Sequence, residues 1–317
     1  MSKDKILIIG AGGQIGTVLT KALREAWGWN NVIATDIKDG NPGDPFFEKL
    51  DVCDVHRMTE IVTKHGITQI YHLAAILSAV GEKHPLRTWN VNMSGLFNVL
   101  EVARDQGVAK VFFPSSIAAY GDDIQRRNTP QNEVLKPTTV YGISKVAGEL
   151  WAQYYFRKYG LDVRSVRYPG IVGYQSEPGG GTTDYAVEIY HKAVLGRTYH
   201  CFLAADTCLP MIYMDDAIRG TMELMDAPAS SLTVRTSYNM AGMSFTPKEI
   251  AASIREHIPG FEIKYEPDER QKIASSWPES IDDHIARRDW GWRPKFDLEA
   301  MTQDMIVHLQ EKYAVLQ

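Results

Sequence analysis

Near its start the chain runs from a continuous apolar stretch, Lys5-Ile6-Leu7-Ile8-Ile9, through Gly10-Ala11-Gly12-Gly13-Gln14-Ile15-Gly16 into a helical pattern that reaches Trp27. An unbroken apolar run suits a parallel strand covered on both faces. Glycines at 10, 13 and 16 let the backbone turn tightly, approach a pyrophosphate and pack helix against strand, with the helix N-terminus facing the phosphates. A second strand, Asn31 to Thr35, ends in Asp36, twenty residues after Gly16. A carboxylate there can accept both ribose hydroxyls of an adenosine and repels a 2′-phosphate, which predicts NAD rather than NADP. Gly12, Gln14 and Ile15 in the turn and Ile37 after the carboxylate complete this group of cofactor candidates.

The following segments repeat the rhythm. Phe46 to Leu50 reads as a strand ending at Asp51-Val52, where Asp51 either meets an adenine edge or caps the next helix. Ile67 to Ala74 reads as a buried strand that runs out through Leu73-Ala74-Ala75 towards Ser78, small residues against which a flat cofactor can lie. Trp89 to Gln106 reads as a helix carrying Asn92, either a solvated side chain or a group that fixes water. Lys110 to Pro114 is a fifth strand, and it delivers Ser115 and Ser116 at the edge where ligands bind in an open parallel sheet. One hydroxyl there can hold a substrate oxygen while the other caps or braces. Asp162 to Tyr168 is a sixth strand, with Tyr168, Pro169 and Ile171 at its end as further cofactor candidates. Strands alternating with helices through right-handed crossovers predict an α/β fold, a doubly wound parallel sheet with a smaller C-terminal substrate domain. The expected division is 1–174 with 210–243 for the dinucleotide domain and 175–209 with 244–317 for the substrate domain.

Chemistry enters with Tyr141-Gly142-Ile143-Ser144-Lys145. On a helix from Val140 to Tyr159, a spacing of four puts the phenol and the ammonium on one face, one turn apart. A free tyrosine, with a pKa of about 10, is a poor base at neutral pH, and a fixed cation favours its phenolate. The expectation is therefore a lowered Tyr141 pKa. Pro178-Gly179-Gly180-Gly181-Thr182-Thr183-Asp184 then forms a glycine-rich loop before a helix from Tyr185 to Leu195. Its threonines offer donors to a carboxylate, or one of them or Asp184 caps the helix. Ser78, Thr182 and Thr183 are the substrate candidates, with Asp184 supporting them. Trp277 either closes over a site or fills a core.

Composition narrows the partners. Of 317 residues 23% are charged, for a net charge of -5, so nothing points to nucleic acid or an anionic membrane surface. No apolar stretch is long enough for a membrane span, and Met1-Ser2-Lys3-Asp4-Lys5 leads straight into a strand, so a cytoplasmic protein is expected. Cys53, Cys201 and Cys208 have neither disulfide nor metal spacing, and no metal is expected.

These motifs resemble the extended short-chain dehydrogenase/reductase family over essentially the whole chain. The resemblance rests on Gly10, Gly13 and Gly16, Asp36, Leu73-Ala74-Ala75, Asn92, Ser115-Ser116, Tyr141 with Lys145, and Asp283-x-x-Ala286-Arg287 before Gly291-Trp292-x-Pro294. It implies Tyr141 as acid or base, Lys145 as the holder of the nicotinamide ribose, and Ser115 or Ser116 orienting the reacting oxygen, with the spacing to Tyr120-Gly121 pointing to Ser116. Within the family, nucleotide-sugar epimerases and dehydratases carry an asparagine and an Arg-Asp pair where this chain has Tyr168-Pro169-Gly170 and Leu209-Pro210-Met211-Ile212-Tyr213-Met214. The segments Val163 to Gly170, Gly179 to Ala186 and Ser276-Trp277-Pro278-Glu279-Ser280 are instead similar to the short-chain L-threonine 3-dehydrogenases. That resemblance implies a small amino-acid substrate, metal-free NAD chemistry and a homodimer paired through its two long helices.

Overall fold

In the computed structural model, which describes residues 4–175, 177–179 and 181–315, with Ala79 described by its backbone alone, the first apolar run forms β1 (Ile6–Ile9), every residue buried. α1 (Gln14–Trp27) follows and stops at Gly28, and β2 (Val32–Asp36) lies parallel to β1. The alternation continues through β3 (Phe47–Lys49), α2 (Val55–His65), β4 (Gln69–His72), α3 (Ser78–Lys83), α4 (Pro85–Asp105), β5 (Lys110–Ser116), α5 (Val140–Tyr159) and β6 (Asp162–Tyr168). Beyond it come β7 (Gly170–Val172), α6 (Tyr185–Val194), β8 (Tyr199–Cys201), β9 (Leu209–Tyr213), α7 (Met214–Asp226), β10 (Tyr238–Asn239) and β11 (Met243–Phe245). The chain closes with α8 (Pro247–His257), β12 (Ile263–Tyr265), α9 (Glu269–Ser275), α10 (His284–Trp290) and α11 (Leu298–Ala314).

Among the described residues the main sheet is parallel and seven-stranded, in the order β10-β6-β5-β4-β1-β2-β3. This is the doubly wound α/β arrangement. The order reverses between β1 and β4, and in such sheets ligands bind outside the carboxyl ends of the strands at that reversal. The chain divides into two compact units, 1–116 with 139–167 and 221–238, and 117–138 with 168–220 and 239–317.

In the first unit, one face of the sheet is filled by Met58, Ile61 and Val62 of α2 and Leu96, Val99 and Leu100 of α4, packed with Ile70 and Val111. α5 occupies the predicted span because both ends are encoded locally. The Thr139 hydroxyl accepts the Gly142 N–H at one end, and Gly160 takes a left-handed conformation at the other. α4 starts a turn before its apolar periodicity does, since Pro85 stands in its first turn, where a missing N–H costs nothing. Ser78 opens the short α3.

The second unit contains the three-stranded sheet β11-β9-β7 and the parallel pair β8 and β12. Its helices α6, α8 and α11 meet at Thr302, whose Oγ1 lies 2.7 Å from the Tyr190 hydroxyl and accepts from Ser253 Oγ at 2.8 Å. Three buried hydroxyls thereby satisfy one another inside an apolar interface. Of the residues singled out above, Met1, Ser2, Lys3 and Gly180 lie outside the described residues.

Candidate active site

The turn after β1 is shaped by what a side chain would strike. Gly10 has φ +90°, and a Cβ on Gly16 would sit 2.1 Å from the Gly10 carbonyl oxygen. The start of α1 can therefore press against the strand only with glycine at these positions. Gly13 precedes the helix without a side-chain cap, so its first amides face outward as an anion cradle. The N–H groups of Gly10 and Ala11 both donate to Thr35 O at 2.9 Å. Gly12 donates to Asp36 Oδ2 at 2.9 Å, and Lys38 N donates to Oδ1 at 3.0 Å. Asp36 is thus held at the end of β2 beside the turn, with Ile37 exposed next to it.

The neighbouring candidates separate. Asp51 does not cap α2. Its carboxylate accepts from Cys53 N at 2.9 Å, while Asp54 accepts from Arg57 N as the true cap. Val52 turns into the core, because Gly95 of α4 leaves room for its methyls. Ala74 packs against the Gly10 backbone. Asn92 is buried rather than solvated, and it is fully engaged. Its Oδ1 accepts from Ile76 N at 2.8 Å, and its Nδ2 donates to Ile76 O at 3.1 Å and Ser144 Oγ at 3.4 Å. It pins the exit of β4 to α5.

Tyr141 and Lys145 share a face of α5, with Nζ 5.2 Å from the phenol ring centre and 4.8 Å from that of Phe113. Lys145 Nζ donates to Pro114 O at 2.7 Å. The two serines at the end of β5 divide their roles. Ser116 hydrogen-bonds the Tyr141 phenol. Ser115 is buried and donates to Glu149 Oε1 at 2.6 Å, away from the phenol. Arg167 of β6 grips the same carboxylate, with Nε 2.9 Å from Oε1 and Nη2 2.8 Å from Oε2. Ser115 thus takes the bracing part of the two that the sequence left open.

The electrostatics also correct the expectation drawn from spacing. Burial pushes the Tyr141 phenol up to about 12, against the opposing pull of its bond to Ser116. Burial likewise brings the Lys145 ammonium down to about 7, with Glu149 working in the other direction. Desolvation disfavours both charged forms, and it is the largest cause acting on each. His72, at the end of β4, was not anticipated. It stacks on Phe113, is pushed down to about 3 by burial and by Lys145, and leaves Nδ1 buried without a partner. Its position next to Leu73-Ala74-Ala75 was a signal, as was the four-residue step from Lys145 to Glu149.

In the second unit Tyr168 is buried and Ile171 partly so. Thr182 is 1% exposed, and its Oγ1 is buried without a hydrogen-bond partner. Thr183 lies against Gly170. Asp184 does not cap α6 with its side chain, because its Oδ2 accepts from Gly181 N at 2.8 Å and so ties the loop to itself. Trp277 is buried as a core aromatic. Among the described residues, no group of three His, Cys, Asp or Glu side chains is placed to hold a metal ion, and no helix is long and apolar enough to cross a membrane.

The cradle fits a dinucleotide, since the space that Cβ atoms would take is left to backbone N–H groups and the carboxylate at the end of β2 stands ready for a ribose. That is the class, a Rossmann-type dinucleotide-binding α/β protein. The chain belongs to the NAD dependent epimerase/dehydratase family, whose model matches residues 6–241, the group of extended short-chain dehydrogenases/reductases. A protein of Staphylococcus haemolyticus described as an uncharacterized epimerase/dehydratase is 49% identical over 314 residues, which is 98% of each chain. A solved GalE-like L-threonine dehydrogenase from Cupriavidus necator, in its holo form, is 56% identical with a TM-score of 0.95, over 96% of this chain and 99% of that one. A monomeric L-threonine 3-dehydrogenase from a metagenome is 49% identical with a TM-score of 0.94, over 97% and 99%. These likenesses support an NAD-dependent oxidoreductase.

Proposed function

We propose that the protein oxidises the C3 hydroxyl of L-threonine with NAD to 2-amino-3-oxobutanoate. The observation that carries the chemistry is the grouping of Tyr141, Ser116 and Lys145 at the carboxyl edge of β5. The substrate class is supported by the likeness to L-threonine dehydrogenases at up to 56% identity. It is supported independently by Thr182, whose buried hydroxyl lacks a partner. Such a group costs about 1–3 kcal/mol if left unsatisfied, and a substrate carboxylate would satisfy it.

NAD, held by the Gly10 to Gly16 turn and Asp36 with Lys145 at its ribose, supplies the hydride acceptor for the C3 hydrogen. The protein's own part is proton chemistry. Ser116 fixes the substrate hydroxyl, and Tyr141 as phenolate takes its proton as the C3–O bond becomes a carbonyl. Lys145 as ammonium stabilises the phenolate, and Glu149 favours that charged form. Because the free phenol sits near 12 while the ammonium that steadies its phenolate sits near 7, turnover should rise with pH only up to the neutral range and stop rising as Lys145 loses its charge.

The deciding experiment is NADH formation across L-threonine, its stereoisomers, L-serine and UDP-galactose. Turnover confined to UDP-galactose, or none with threonine, would overturn the reading. In the same assay Thr182→Val should raise the KM for threonine about tenfold or more with little change in NAD affinity and no loss of Tm; an unchanged KM would remove Thr182 from the substrate site. We also propose pairing of two copies through α4 and α5, on the exposed Leu150, Trp151, Tyr154 and Tyr159. A monomeric mass in sedimentation at micromolar concentration would exclude it.

A further inference from the structure

Behind Lys145 lies a cavity of about 10 Å³ lined by His72, Ala74, Ala75, Asn92, Phe113, Ser144 and Lys145. Apart from Lys145 and His72, it is lined by apolar side chains and by polar groups already engaged. Asn92 spends its amide on Ile76 and Ser144, and Ser144 donates to Tyr141 O at 2.7 Å. Lys145 commits one of its three N–H donors to Pro114 O. Two groups that line this space remain with hydrogen-bonding capacity. One is the ammonium, and the other is His72, 3% exposed, whose Nδ1 is buried without a partner. A buried imidazole nitrogen facing a cation either repels it as a second charge or serves it as a neutral acceptor. Burial, reinforced by Lys145, settles this in favour of the neutral ring.

We propose that this cavity is a structural water site in which one water molecule accepts from Lys145 Nζ and donates to His72 Nδ1, making His72 a positioning residue for the lysine. The volume stands at the lower bound for a single water, about 10–15 Å³ by the same measure. The bridge lets a neutral imidazole, through the water dipole, favour the ammonium over the amine without adding a charge to the site. It also gives Nζ a second fixed partner besides Pro114 O. The titratable groups bearing on Lys145 are then Tyr141 and Glu149 on its own helix and His72 on β4, with Arg167 on β6 acting through Glu149. The inference rests on Lys145 serving as the cation of the proposed chemistry, but it requires neither substrate nor cofactor to be tested.

The test is the titration of Lys145 in the cofactor-free protein, read from lysine Cε resonances and assigned with Lys145→Met. His72→Leu should lower the titration midpoint by about one pH unit, a tenfold shift of the ammonium–amine equilibrium. His72→Asn, whose side-chain oxygen falls near the Nδ1 position, should keep the midpoint at the wild-type value. A midpoint unmoved by His72→Leu, or moved equally by both substitutions, overturns the proposal, because a purely structural histidine would not distinguish the two replacements. If His72→Leu does not fold, a high-resolution map of the wild-type protein decides. A water within hydrogen-bond reach of both nitrogens supports the proposal, and its absence refutes it. A normal lysine result alongside no threonine turnover would fault the substrate assignment and leave this site standing.

Discussion

Tyr141→Phe will lower the rate of NADH formation at least ~1,000-fold, in the upper part of the range for losing a general acid–base group, while NAD affinity stays within about twofold. The substitution removes only the hydroxyl. The ring keeps its place on α5 beside Lys145, and the proposed cofactor cradle lies in the turn between β1 and α1 and at the end of β2, so binding and proton transfer are separable. Stability should be unchanged or slightly higher, since a half-buried phenol is replaced by a group with no polar atom to satisfy. Stopped-flow absorbance for hydride transfer and titration of intrinsic fluorescence for NAD are the two measurements. Turnover within tenfold of wild type would remove Tyr141 from the chemistry and leave the family fold without its proposed base.

The second large effect falls on a group that touches no ligand. Glu149 is 1% exposed and accepts from Arg167 and Ser115 inside the first unit. Glu149→Ala would take from the buried guanidinium its carboxylate counter-charge, a loss of about 3–5 kcal/mol, equivalent to a Tm lower by on the order of 10 °C. It would also take from Lys145 the carboxylate that favours its ammonium, so activity should fall further than the loss of folded protein explains. Arg167→Met in the same chain should recover most of the stability, because an apolar pair of similar volume avoids desolvating two charges, but it should not recover the activity. Thermal melts and urea titrations of the single and double variants test this. A single variant that loses less than about 1 kcal/mol would mean that the pair is solvated and Arg167 finds other partners.

Local chemistry accounts for the parts of this molecule that could be read directly from residue order. The glycine turn after β1, the carboxylate closing β2 and the span of α5 are each written in a few adjacent residues, because turn conformation and helix capping act over one or two turns of chain. The alternation that predicts a doubly wound sheet is equally local, since each apolar run reports its own burial. The resemblance to the extended dehydrogenases extends this to the choice of Tyr141 and Lys145 and to NAD, and the family match bears out the cofactor.

What residue order left open depends on groups brought together from far along the chain. Ser115 and Ser116 are indistinguishable as neighbours, and only the pleat of β5 sends one hydroxyl to Glu149 and the other to the phenol. Asp51 is a credible cap until α2 begins at Val55, which gives that part to Asp54. The sign of the Tyr141 shift was the largest reversal. Spacing fixes which charges are neighbours, but the medium between them is made by β4, β5 and α4, and that low-polarity surround disfavours phenolate and ammonium alike. The buried imidazole of His72 escaped notice for the same reason: a histidine at the end of a strand acquires a role only when tertiary packing closes a lysine and a cavity over it. Sequence by itself thus determined the scaffold and the placing of Tyr141 and Lys145 on one face of α5, through interactions between near neighbours. The tertiary structure alone decided protonation, bracing and the division of labour between adjacent hydroxyls, because these follow from burial and from partners many residues away.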